Sequence, residues 1–203
     1  MAISKSTVKM PLGMRRSWYY PITSEEDGAE PVYGDKLDMG AAVKGYLSIT
    51  TASAEIPGDD ITQVAIENFV SGQLDAETTM SDLEINAKIY GHKYTVGEEG
   101  SNADDVSPNG GYAFIEPILL KTKAIVFRAT CLCKVSAMPS SEKQEADTKK
   151  SGELSPKNNV VSYKVMETNK GNWRYRQDFE SMDAAEAYIA SKFTASSTTT
   201  TQS

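Results

Sequence analysis

Residues 43–55 and 61–70 are two runs rich in β-branched and small side chains, separated by little more than Pro57-Gly58-Asp59-Asp60. This arrangement commits the chain to a long β-hairpin. β-branched side chains favour a pleated surface. Pro and Gly set the backbone of a turn, and Asp accepts from nearby N–H groups. In the first run Val43, Leu47 and Ile49 fall on one face and Lys44, Tyr46, Ser48 and Thr50 on the other. Gly72 marks a place for a bulge. Residues 74–79 alternate Leu74, Ala76 and Thr78 against Asp75, Glu77 and Thr79 and read as a third strand.

Ser81-Asp82-Leu83-Glu84 has the spacing of a capping box, with Ser81 as N-cap and Glu84 at N3. The spacing predicts a helix to about Tyr90, with Gly91 just past its end. Leu83, Ala87 and Tyr90 share a face, with Ile85 and Ile89 beside them. Residues 92–111 read as a long polar loop. Residues 112–120, 124–135, 160–166 and 172–179 read as further strands, and residues 183–193 as a second helix capped by Ser181 or Asp183. The expected fold is mainly β (α+β): a β-sandwich or partly open barrel with one packed helix, plus long loops and terminal arms.

The expected organisation has three parts. Residues 1–40 form an extended N-terminal arm, because Pro21, Gly28, Pro31 and Gly34 punctuate a polar stretch with little periodicity. Residues 41–193 form the β-domain, with a polar insertion at 139–157 of balanced charge. Residues 194–203, rich in Ser and Thr, form a flexible tail. Arg15, Arg16, Trp18, Tyr19 and Tyr20 place aromatic rings beside basic groups. Such a set can stack on single-stranded nucleic acid, or anchor an arm in a neighbour's groove; the arm is the preferred reading.

Net charge bears on partners. The 203 residues carry a formal charge of −7, the opposite of what gripping phosphates requires. No apolar run approaches the roughly 20 residues that span a bilayer. Residues 1–10 have no apolar leader core, so synthesis in the cytoplasm is expected.

Catalytic and metal chemistry finds little to build on. The chain has one histidine, His92, and two cysteines, Cys131 and Cys133. His92 follows the helix C-terminus, where it favours the dipole and the last carbonyls. The Cys-Leu-Cys run puts both thiols on one face of a strand as reduced, buried groups. Glu98, Glu99, Asp104 and Asp105 lack the spacing of a calcium loop. Asp59 and Asp60 read as turn residues rather than paired acids. Phosphate-binding glycine loops are absent. No enzyme, cofactor or metal is expected.

One ordered set of residues adds to this reading. It runs Gly58-Asp59-Asp60, then Phe69-Val70-Ser71-Gly72-Gln73-Leu74, then the capped helix ending Tyr90-Gly91-His92, then Asp104-Asp105-Val106-Ser107-Pro108, then Gly110-Gly111-Tyr112. The order resembles that of the major tail proteins (tail tube proteins) of long-tailed bacteriophages, over roughly residues 40–175. The resemblance implies a structural subunit of the virion tail. Subunits would close into rings, hexameric by the resemblance, that stack into a hollow tube around a tape-measure protein. Tail terminator and baseplate proteins would be further partners, and DNA would pass through the lumen without specific binding. Asp75 and Glu77, with Glu55 and Glu67 behind them, are the candidates for the lumen face; the outer solvated surface is the other place such an alternating strand can put them. Asp104 and Asp105 join the arm residues as candidates for contacts between subunits or rings. A β-sandwich adhesin or binding module on the virion surface is the alternative reading of the same composition.

Overall fold

The computed structural model describes residues 9–58, 61–142 and 158–194. Its strands are β1 (Lys9–Pro11), β2 (Arg15–Ser24), β3 (Val32–Tyr33), β4 (Leu37–Asp38), β5 (Ala42–Gly58), β6 (Ile61–Thr78), β7 (Lys93–Thr95), β8 (Glu98–Gly100), β9 (Asn109–Leu120), β10 (Ile125–Ala137), β11 (Asn159–Met166) and β12 (Arg174–Phe179). Helix α1 is Leu83–Tyr90 and α2 is Met182–Phe193; a 3-10 turn spans Pro139–Ser141. No helix among the described residues is long and apolar enough to cross a membrane.

The chain is mainly β, as expected, with both helices packed against the sheet. One antiparallel sheet runs β3-β2-β9-β10-β11-β6-β5, with β1 on β9, β12 on β10 and β4 on β2. It folds over its own core. Strands β2 and β11 lie three places apart, which in a flat sheet is roughly 14 Å. Yet the rings of Tyr19 and Tyr163 are only 6.1 Å apart. That inner core holds Tyr19, Leu74, Ile89, Tyr112, Leu132 and Tyr163, with α1 closing one side. The other face of β2, β9 and β10 is covered by α2, through Ala185, Ile189 and Phe193 against Trp18, Tyr20, Ile115 and Cys131.

Gly110 and Gly111 sit where these two layers come closest to β9. A Cβ on Gly110 would lie 2.3 Å from the ring of Tyr19, and one on Gly111 would lie 2.2 Å from the ring of Phe193. Glycine is there because an aromatic ring occupies the space of a side chain on each face.

The first edge of β10 changes partner part-way along. Residues 127–132 pair with β12 and residues 134–137 with β11. A register shift against β9 falls between Leu132 and Val135, at the changeover. A bulge there bends the strand and lets one edge serve two neighbours. Asp178 on β12 stabilises the first half. It accepts from Arg128 Nε at 2.7 Å and Nη2 at 3.1 Å, and from Lys9 Nζ at 2.7 Å. The Arg128 hydrogen bonds, helped by Lys9, lower the Asp178 carboxyl from 3.8 to about 2. This stabilisation is complete above the ordinary carboxyl range and is lost as pH falls through about 2. Asp178→Asn is expected to cost about 1–2 kcal/mol at pH 7, measured by urea unfolding. The deficit should shrink as the pH is lowered towards 2.

Several expectations give way. Helix α1 is capped by Asp82, not Ser81: Asp82 Oδ1 accepts from Glu84 N at 2.8 Å and Ile85 N at 3.2 Å. Glu84 therefore cannot reach back as a capping-box acid and pairs instead with Lys88. Gly91 closes the helix in the left-handed conformation, as expected. The helix buries Ala87, Ile89 and Tyr90, while Leu83 is exposed. Residues 61–78 form one strand, not two; the register against β5 shifts at Val70 rather than at Gly72, and again beside Val43 and between Ile56 and Pro57. The expected loop after His92 contains the hairpin β7–β8. Ser181 is the cap of α2.

The N-terminal arm is the largest correction. Strands β1 to β4 belong to the sheet, and β2 pairs with β9 from Arg15 to Pro21. Met14 and Met39 join the inner core. The polar insertion is described only as far as Glu142, and of the Ser/Thr-rich tail only Thr194 falls within the described residues.

Candidate functional site

The hairpin β5–β6 is the element that most distinguishes this sheet. Strand β6 pairs with β11 only over Gly72–Thr78, whereas it pairs with β5 along its whole length, from Ala42↔Thr78 to Gly58↔Ile61. The outer half of the hairpin therefore runs past the body as a two-stranded ribbon. Strand β5, 17 residues long, ends the sheet. Among the described residues nothing pairs with its outer edge. An edge of this length offers a row of free N–H and C=O groups.

The two faces of the hairpin differ. Across three strands, rows on the outward face read Lys44–Glu77–Val160, Tyr46–Asp75–Ser162 and Ser48–Gln73–Lys164. Period-two alternation forces this, since Leu74, Ala76, Val161, Tyr163 and Val165 fill the core on the other side. Asp75 accepts from Ser162 Oγ at 2.6 Å and from Gln73 Nε2 at 2.9 Å, and Glu77 accepts from Asn158 Nδ2 at 2.8 Å. The two acids thus share a hydrogen-bonded polar face with Lys44 and Lys164 across the strands, so the face is close to neutral. Glu67 is exposed further out on the ribbon. Glu55 lies in β5, but its side chain lies outside the described residues, as do Asp59 and Asp60.

Beside the edge strand, the inner side stays open. A groove of about 360 Å³ is lined by Met14, Val43, Leu47, Phe114, Arg174 and Arg176, among others. Val43, Tyr46, Ile49 and Val70 are large apolar side chains left exposed on the hairpin. The bare edge and the groove, bordered by Val43 and Leu47, lie together, while Tyr46 stands on the outward face.

The arm candidates separate into two groups. Trp18, Tyr19 and Tyr20 are buried in this chain's own cores, Tyr20 stacked on Phe193 at 4.3 Å between centroids. These rings are not free to enter a neighbour's groove or to stack on nucleic acid. Arg15 and Arg16 are exposed; Arg16 occupies a bulge with φ of 42° and forms an ion pair with Glu186 on α2. Asp104 is exposed, and Asp105 closes a turn by accepting from Asn102 N at 2.7 Å. Cys131 and Cys133 are free and buried. Burial pushes both thiols up to about 12, which keeps them protonated and poor nucleophiles.

One cluster has no counterpart in the sequence reading. His92, Glu99, Glu142 and Asn86 converge from three segments, with His92 Nδ1 2.7 Å from Glu99 Oε1. Glu98, Asp104 and Asp105 take no part in it. The sequence signals were His92, read as a helix-end residue, and Glu99, set aside with its acidic neighbours for want of a calcium-loop spacing; Glu142 and Asn86 gave none.

No protein-family model matches the chain, and no curated protein matches it.

Proposed function

We propose that this chain is a structural subunit of a bacteriophage tail tube, acting by self-assembly and not by catalysis. The observation that carries the reading is the bare 17-residue edge of β5 on a projecting hairpin. A long flat edge is an aggregation hazard unless the protein is meant to pair it. The two ends of the sheet are unlike, with β5 at one and the two-residue strands β3 and β4 near the other. A contact from β5 to any other surface of a second copy is therefore head-to-tail. Head-to-tail contacts that close by rotation give rings, hexameric by the family resemblance. Stacked rings would give a hollow conduit in the virion tail, laid down around a tape-measure protein and finished by terminator and baseplate proteins.

In this reading the polar face of β5, β6 and β11 lines the lumen. DNA carries one negative charge per roughly 1.7 Å of duplex and would be held by a basic wall through counterion release. A wall in which Asp75 and Glu77 balance Lys44 and Lys164 lets it slide. The double variant Asp75→Lys, Glu77→Lys turns the balance basic. Assembly is expected to persist, while DNA release from virions slows and infectivity falls at least tenfold. Normal infectivity would count against this face as the lumen.

Sedimentation velocity over a range of concentrations tests the assembly itself. The proposal expects rings or polymers that grow with concentration. A single small species throughout would favour a virion-surface binding module.

A further inference from the structure

We infer that His92 and Glu142, with Glu99 behind them, form a binding site for a divalent cation of the zinc class. Three observations carry it. First, the histidine is committed on one side and open on the other. Its side chain is only 7% exposed, and that of Glu99 10%. Glu99 Oε1 lies 2.7 Å from Nδ1. An ionised carboxylate only accepts, so Nδ1, which also has Ser101 Oγ at 3.3 Å, carries a proton, and in the neutral ring Nε2 presents its lone pair. Among the described residues Nε2 has no hydrogen-bond partner. A carboxylate fixing one ring nitrogen so that the other can bind a metal is the usual support of a ligating histidine.

Second, the free nitrogen faces a second carboxylate at a distance unsuited to a hydrogen bond. Nε2 and Glu142 Oε2 are 4.0 Å apart. A zinc ion about 2.0–2.2 Å from each donor bridges such a gap with a small inward movement. Asn86 holds the acids in place. Its Nδ2 donates to Glu99 Oε1 at 2.9 Å and to Glu142 Oε1 at 3.2 Å. The other oxygen of Glu142 is thereby left towards the ring. One ligand atom from each of His92, Glu99 and Glu142 lies within 4.8 Å of the others.

Third, the charge is unbalanced. Two carboxylates lie around one imidazole, and no Lys or Arg among the described residues forms an ion pair with either. A cation supplies what is missing. Mixed imidazole and carboxylate donors select zinc and its transition-metal neighbours over calcium and magnesium, which prefer all-oxygen shells. Water would complete the shell, since only two side chains bind directly. The ion would tie the end of α1 to the turn after β10, with the hairpin β7–β8 held to it through Glu99.

Isothermal titration of zinc chloride into the full chain, first stripped with a chelator, tests this. One saturable site per chain is expected, with no comparable site for calcium chloride. His92→Ala and Glu142→Gln should each weaken zinc binding at least tenfold, and Glu99→Gln by about 10–100-fold. Glu142, 30% exposed, is the variant least able to disturb folding, and circular dichroism checks that it stays folded. Cobalt(II) should give visible d–d absorption in the wild type that Glu142→Gln abolishes. The double variant Cys131→Ser, Cys133→Ser should bind zinc as the wild type does. Absence of a saturable zinc site, or equal binding by folded Glu142→Gln, overturns the proposal.

Discussion

Placing lysines at Val43 and Ile49 should abolish assembly while leaving the subunit folded. Both side chains are exposed on the edge strand β5, so the change costs the isolated subunit under about 1 kcal/mol. In an assembly the same positions would face a second copy. Charges on an edge strand are the device by which soluble β proteins prevent edge pairing, because burying an unpaired ammonium costs far more than pairing the strand gains. The expected result is a monomer at all concentrations in sedimentation velocity, with a thermal midpoint close to that of the wild type. Rings or tubes formed normally by the Val43→Lys, Ile49→Lys variant would remove β5 from the assembly contact.

Truncating Tyr163 to alanine should cost about 3–5 kcal/mol, enough to unfold a domain of ordinary stability. Tyr163 on β11 is fully buried, and its ring lies 5.0 Å from that of Tyr112 and 6.1 Å from that of Tyr19. It joins strands three places apart, so its loss leaves a cavity where the sheet turns over on itself. The phenolic oxygen has no hydrogen-bond partner among the described residues, and burial pushes its pKa well up, so it remains neutral. Tyr163→Phe should therefore match the wild type or exceed it by about 1 kcal/mol, because a buried hydroxyl without a partner is a cost. Urea denaturation of both variants checks this. A Tyr163→Phe variant as unstable as Tyr163→Ala would mean that the hydroxyl, and not the ring, holds the core.

How much of this could be read in advance depended on whether a strand buries one face or two. Strand β6 alternates cleanly around Leu74, Asp75, Ala76 and Glu77 because one face is wet, so its two faces were legible, while the way they point needed the register. Strand β2 buries both faces, Tyr19 towards the inner core and Trp18 and Tyr20 towards α2. A strand covered on both sides shows a continuous apolar run in place of alternation. Set between Arg15-Arg16 and Pro21, that run looked like an anchor on an arm. Removing residues 1–20, which the arm reading would tolerate, would instead take out most of a strand paired to β9.

Helix α1 was legible from its periodicity, but its cap was displaced by one residue, since Ser81 and Asp82 are both good caps and sequence does not rank neighbours. Strands β7 and β8 have three residues each and are mostly polar, too short to show a period. The changeover of partners along β10 depends on a bulge, which no run of residues announces. The His92 cluster escaped for a different reason. Glu142 reaches it from the far end of β10, and only the folded sheet brings that turn back against α1 and β8.

Negative-stain electron microscopy of the purified, concentrated protein tests the central claim most directly. The account predicts hollow tubes or ring-shaped particles, and their loss in the Val43→Lys, Ile49→Lys variant. Small uniform particles at every concentration, even with a tape-measure protein present, would contradict it.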